Sequence, residues 1–151
     1  KILNIKVSTQ TIYKLSDDYI KNLSSFNFLI EGTRSILKYL YENYELHIIT
    51  NGFQEVQNKK LITSEIDGYF KTITNSEMAG VKKPHQKIFQ LAINKARAEF
   101  HSSIMIGDNL DADIHGSLNA GMEAILFNYH KDAVPEGIIS IDKLSELKKY
   151  L

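Results

Sequence analysis

No cysteine occurs anywhere in the 151-residue chain. That absence removes disulfide scaffolds, thiolate zinc sites and cysteine nucleophiles together. It fits a reducing compartment. No basic stretch followed by an apolar run and a small-residue cleavage site opens the sequence, so the cytoplasm is the expected location. No apolar run reaches the roughly 18 residues that a membrane span needs, and no membrane partner is expected. An excess of one charge is lacking as well, since 18 Lys and Arg balance 18 Asp and Glu. Binding nucleic acid by bulk charge takes a surplus of cations, so nucleic acid is not an expected partner either. Proline is scarce, with only Pro84 and Pro135. No internal repeat or linker-like stretch stands out.

What is present is ordinary globular material. Hydrophobic residues make up 43% of the chain and charged residues 24%, enough to bury the core of one domain. From Thr11 to Leu23, apolar residues fall at Ile12, Leu15, Tyr19 and Leu23, which is helical spacing. A polar break follows, and a boundary is placed near Phe28. Beyond it the texture alternates. Thr33 to Tyr44 presents Ile36, Leu37, Leu40, Tyr41 and Tyr44 on one helical face. Leu46 to Ile49 reads as a strand, and Phe53 to Ile62 as a helix. Lys71 to Thr74 reads as a strand. A helix then starts at Pro84 and carries Ile88, Phe89, Ala92, Ile93 and Ala96. Ser103 to Ile106 reads as a strand, and Leu110 to Ala120 as a helix stopped by Gly121. Glu123 to Phe127 and Gly137 to Ile141 read as strands. Asp142 caps a last helix carrying Leu144, Leu147 and Leu151. Strands alternating with helices imply an α/β fold with a mostly parallel sheet. In such sheets ligands bind beyond the carboxyl ends of the strands.

Three segments meet that demand. Thr50-Asn51-Gly52 follows the first strong strand. A hydroxyl and amides entering a helix make an anion site, although Asn-Gly is also a common turn pair, and taken alone the turn reading leads. Lys83 stands before Pro84. A cation ahead of a helix N-terminus is mildly unfavourable, which an anion nearby would rationalise, although a lone lysine is usually a solvated loop residue. Gly107-Asp108-Asn109-Leu110-Asp111-Ala112-Asp113 follows the third strand. One Asp serves as a helix cap, but three in six residues exceed that need. Asp108 and Asp113 suit a hard, oxygen-liganded cation such as Mg²⁺. Anion donor, cation and metal carboxylates on one rim describe a phosphate site.

This ordered set resembles the haloacid dehalogenase (HAD) superfamily of phosphohydrolases, over about Phe28 to Ile141. Ile48-Ile49-Thr50-Asn51-Gly52 is similar to that family's second motif. Gly80-Val81-Lys82-Lys83-Pro84 is similar to its third, and Met105-Ile106-Gly107-Asp108 through Asp113 to its fourth. Ile49-Thr50-Asn51-Gly52-Phe53 and Val81-Lys82-Lys83-Pro84 look most like the pyrimidine nucleotide 5'-phosphatase branch. The resemblance implies a doubly wound, Rossmann-like sheet with a remnant of a helical cap. It implies catalytic roles for Thr50 and Lys83, and phosphate binding by Thr50, Asn51 and Lys83. It also implies Mg²⁺ held by Asp108 and Asp113, with Asp113 orienting Lys83 or a metal-bound water. The expected substrate is a small phosphorylated metabolite, with nucleoside monophosphates first, hydrolysed through an aspartyl-phosphate.

The family's first motif, Asp-x-Asp, does not occur before Thr50; the early pair Asp17-Asp18 lies in a helical pattern. The sequence starts at Lys1, without an initiator Met. The expectation is therefore that residues 1–28 are the tail of a helical cap and 29–151 a HAD-like core lacking its first strand. The strand would come from an N-terminal fragment or a second chain, or the neighbouring strands would close up, or Lys1 to Val7 would be drawn in. The chain alone is then expected to be inactive, with Lys83 leaning on Asp108 or Asp113. A haloacid dehalogenase and a non-catalytic binding module on the same scaffold are the alternatives. A response-regulator receiver would place its acidic pair first and its Lys last, the wrong order here. A dinucleotide site would need a Gly-x-Gly-x-x-Gly after a strand, which is absent. His47, His85, His101, His115 and His130 match no motif and read as structural or surface residues.

Overall fold

A computed structural model describes residues 7–25 and 27–151. Helices α1 (Thr9–Ser25) and α2 (Thr33–Asn43) precede β1 (Leu46–Thr50), α3 (Gln54–Thr63) and β2 (Phe70–Asn75). The short α4 (Ser76–Ala79) and α5 (Gln86–Ala96) lead to β3 (Ile104–Gly107). A π-helical stretch, Leu110–His115, runs into α6 (Gly116–Ala120), followed by β4 (Glu123–Phe127) and β5 (Ser140–Ile141). Short 3₁₀ turns occupy Asp67–Tyr69, Phe100–Ser102 and Leu144–Lys149. No helix among the described residues is long and apolar enough to cross a membrane.

The strand pairs β1–β2, β3–β4 and β4–β5 are all parallel. Period-two alternation along β4 sends its side chains to two different cores. Ala124 and Leu126 join Ile88 and Phe89 of α5, Met105 of β3 and Ala120 of α6. Ile125 and Phe127 join Ile36 and Leu40 of α2, with Ile141 and Leu147. Helices therefore cover both faces of the strands, which is the doubly wound α/β arrangement expected. Ile88, Phe89 and Ile125 are fully buried, each contributing about 1.5–3 kcal/mol of apolar burial.

The strands fall into two sheets, β1–β2 and β3–β4–β5. Among the described residues no ladder joins β1 to β3. The two nevertheless share their cores. Ile49 of β1 packs on the cluster holding Met105 of β3. Leu46 of β1 packs on the cluster that also takes Ile104 and Ile106. The carboxyl ends of β1 and β3 are therefore neighbours.

Several local expectations are corrected. Pro84 lies in a turn, and α5 begins at Gln86, because the Nδ1 of His85 accepts from the Lys87 amide and takes the N-cap position. The segment after β3 opens as a π stretch rather than an α-helix, since Asn109 accepts the Ala112 amide on its side chain and both the Asp113 and Ile114 amides on its carbonyl. The last helix is a 3₁₀ turn without a side-chain cap, and Asp142 is drawn instead to Lys131 at 2.8 Å. Only Ser140–Ile141 of the last expected strand pairs. In α1 the residues Ile12, Leu15 and Tyr19 face solvent, Leu23 of the same stripe is half-buried, and the half-buried Ile20 faces α3. The strand considered at Lys1 to Val7 lies outside the described residues except for Val7, which is irregular.

Candidate active site

Thr50 ends β1 and is half-buried. Its Oγ1 accepts from the Gly52 amide at 3.0 Å. The Thr-Asn-Gly segment is thus a turn, as Asn-Gly allows, and the turn leaves the Thr50 hydroxyl hydrogen free to be donated onward. Asn51 then makes a two-point clamp. Its Oδ1 accepts the Lys83 amide at 2.7 Å and its Nδ2 donates to the Lys83 carbonyl at 3.2 Å. The Asn51 carbonyl in turn accepts from Ser76 Oγ at 3.1 Å. The loop after β1 therefore fixes the loop that carries Lys83.

The Lys83 ammonium is nine-tenths buried and bridges the two sheets. Its Nζ donates to the Ile49 carbonyl of β1 at 2.8 Å and pairs with Asp113 Oδ1 at 2.6 Å. The other Asp113 oxygen accepts the Asn109 amide at 3.1 Å. Gly107 makes this approach possible: a Cβ there would stand 2.4 Å from both the Asp113 Cβ and Oδ2. The π stretch brings Asp113, five residues beyond Asp108, back over the strand end; such π turns recur at functional sites. Lys82, the neighbouring lysine, makes no comparable contact among the described residues, and the buried ion pair separates the two.

Asp108 is exposed, and no hydrogen bond or ion pair engages its carboxylate among the described residues. Thr50, Asn51, Lys83 and Asp113 are linked directly or through one intermediate, and Asp108 directly follows the end of β3. As for a metal, no group of three His, Asp or Glu residues gathers among the described residues. Asp113 is committed to Lys83 and the Asn109 amide. Asp108 alone offers free hard oxygens. Mg²⁺ commonly keeps several waters and takes one or two carboxylates plus substrate phosphate, so a single free carboxylate fits it in part.

The side chains of Asn51, Ser76 and Asn109 were not read from the sequence as positioning groups. The Asn109-x-x-Ala112 cap spacing carried a signal for one of them; Ser76 carried none. The histidines stay outside this network. His47 bonds Thr72, His115 contacts Asp111, His101 contacts Glu99 and His130 packs on Tyr129.

Comparison with known proteins now discriminates. The haloacid dehalogenase-like hydrolase family matches residues 2–127. The chain belongs to this family. A pyrimidine 5'-nucleotidase of Escherichia coli is 34% identical over 91% of the chain and 63% of its own length. A glyceraldehyde 3-phosphate phosphatase of Pyrococcus abyssi is 40% identical over 68% of the chain and 43% of its own length. The chain thus spans about half the length of such curated relatives. Among solved structures, a HAD-hydrolase of Bacillus subtilis bound to magnesium superposes with a TM-score of 0.84 at 30% identity. That likeness covers 91% of this chain and 61% of the other. A HAD phosphatase from Thermococcus onnurineus gives 0.82 at 27% identity, covering 94% and 69%. The Rossmann-like fold and HAD membership read from the motifs both hold.

Proposed function

We propose that the protein acts as a phosphatase of small phosphorylated metabolites, with nucleoside monophosphates first among them. The observation that carries this reading is the buried Lys83, held by Asn51 and Asp113 between the ends of β1 and β3. A fixed cation beside a free hydroxyl at strand ends is built to meet the charge of a transferring phosphoryl group. In this reading the Thr50 hydroxyl donates to a phosphoryl oxygen, Lys83 neutralises its charge, and Asp113 keeps the ammonium in place. Asp108 would hold Mg²⁺, which when bound supplies charge neutralisation at the phosphate oxygens.

The nucleophile in this reading is an aspartate on a further strand lying between β1 and β3, from another segment of the protein or from a second chain. Its carboxylate attacks phosphorus, the alcohol leaves, and water then hydrolyses the aspartyl-phosphate. Such a strand is supported by the lack, among the described residues, of any ladder between β1 and β3. Residues 1–28 then read as the end of a helical cap and 29–151 as the core. The test is a screen of the full-length protein against phosphate esters, with Mg²⁺ and with chelator. Metal-dependent phosphate release is expected. Turnover of 2-haloacids with no phosphate ester would overturn the reading.

A further inference from the structure

The rim opposite Thr50, where β1 and β2 begin, carries a cavity of about 350 Å³. That is within the size range of small-molecule sites. Its walls are aromatic and acidic. Tyr41 comes from the last turn of α2, Tyr44 caps that helix, and Tyr69 precedes β2. The rings of Tyr41 and Tyr69 meet edge to face with centroids 5.6 Å apart. Glu42 and Glu45 supply carboxylates. Among the described residues the one cation lining the cavity is Lys71, and it is already paired with Glu45. Glu42 joins no ion pair among the described residues. It stands in the last turn of α2, which holds no basic residue. The last carbonyls of a helix carry partial negative charge, so a carboxylate there is unfavourable and a cation is favoured.

We infer that this cavity binds a small organic cation, a guanidinium on a short apolar stem. Charge decides the sign. Glu42, Glu45 and the helix end, set against Lys71 alone, leave a negative potential that repels anions. The rings decide the class. Tyrosine faces attract cations, and a planar guanidinium stacks on them. Its fork of N–H donors also meets the free carboxylate of Glu42 at two points. An ammonium is more strongly hydrated and gives up more water for the same contacts. The stem lies along Leu46, the apolar residue of the lining. Thr50 is four residues further along β1, about 13 Å away. The site is therefore separate from the phosphate rim, and the inference stands independently of the phosphatase reading.

The test titrates the full-length protein with n-butylguanidinium, n-butylammonium and n-butylurea, followed by amide chemical shifts. Butylurea has nearly the shape of butylguanidinium without its charge. Butylguanidinium is expected to bind about tenfold more tightly than butylurea and about threefold more tightly than butylammonium. The shifts should centre on Tyr44, Leu46 and Lys71. Glu42→Gln keeps the shape of the wall and loses the charge, and it should weaken butylguanidinium about tenfold. Tyr44→Leu should weaken it about fivefold. Both positions are exposed, and the comparison of the three probes on the wild type needs no variant at all. Equal binding of butylurea, or an affinity indifferent to both Glu42 and Tyr44, overturns the assignment. So do shifts centred on Asp108 and Asp113, which place the cation at the other rim. Butylammonium binding as tightly as butylguanidinium overturns the choice of guanidinium. A blocked arginine peptide that binds more than about tenfold more tightly than butylguanidinium gives the cavity to an arginine of a partner protein instead, and overturns the small-molecule assignment.

Discussion

The two half-sheets carry similar strands in unlike surroundings. In β4, Glu123 is exposed and the next four residues are buried. In β1, Leu46-His47-Ile48-Ile49-Thr50 is half-buried throughout. Among the described residues β4 has a ladder on each side, whereas β1 pairs with β2 alone. A nearly continuous apolar run is the mark of a parallel strand enclosed on all sides. True edge strands are usually guarded by Lys or Pro, and β1 has neither. Among the described residues β1 thus has the sequence of an interior strand and the position of an edge. What holds the halves together at the carboxyl rim is polar: Lys83, fixed from β1 by Asn51 and Ile49, reaches across to Asp113. The difference teaches that burial here is set by the neighbours a strand has, and that the gap between the halves is spanned by the same residues to which the proposed function assigns the phosphate.

The strongest way to break that link is Lys83→Met. Asp113 would be left buried and unpaired, and a loss of about 3–5 kcal/mol is expected in chemical denaturation. Adding Asp113→Leu should recover most of it, since an apolar pair of similar volume replaces a buried ion pair at little cost. Gly107→Ala attacks the same link from the other half. Its new methyl would collide with the Asp113 side chain, and a loss of about 1–3 kcal/mol is expected by the same assay. Asn51→Ala removes the clamp on the β1 side. Two hydrogen bonds to the Lys83 backbone go, for an expected loss of about 1–2 kcal/mol. Amide exchange sharpens the comparison without mutation. Amides of β1 should exchange at least about tenfold faster than those of β4, because one edge of β1 has no ladder among the described residues.

The smallest expected effect is one of pH and falls on the β1–β2 half alone. Burial, with Lys71 nearby, holds the His47 imidazole below its usual value of 6.5, although Glu45 opposes the shift. The unfolded chain therefore binds this proton more readily than the fold does. Stability is whole above the usual value and is lost as pH falls through it towards the lower folded value. Thermal midpoints should fall slightly further for the wild type than for His47→Gln between about pH 7.5 and 5.5.

Much of this was legible in the sequence, because the strong signals were local. The interior apolar runs at Leu46 to Ile49, Ser103 to Ile106 and Glu123 to Phe127 gave strands within a residue of where they stand. The spacing of Ile88, Phe89, Ala92 and Ile93 gave the buried face of α5. Thr50, Asn51 and Asp108 were legible because they end or directly follow a strand, whereas Lys83 stands beyond both β2 and α4. What was not legible depended on partners distant in sequence. The Asn51 clamp closes over 32 residues, and Asn-Gly by itself says only turn. The π stretch after Asn109 depends on one backbone carbonyl accepting two amides, which no hydrophobic period encodes. The stripe of α1 was right only at its end, since Ile12, Leu15 and Tyr19 face solvent and Leu23 is half-buried, while Ile20, outside the pattern, meets α3. Asp142 had the right chemistry for a cap but found Lys131 instead.

The central claim is that Lys83 and Asp113 join the two halves and serve a phosphate ester at the same point. The most direct measurement is phosphate release by the full-length protein carrying both Lys83→Met and Asp113→Leu, against wild type. This variant keeps the fold while removing the charge at the rim. The account predicts a near-native denaturation midpoint with kcat/KM for a phosphate monoester lowered about 100-fold or more. A stable double variant that releases phosphate at the wild-type rate would contradict it.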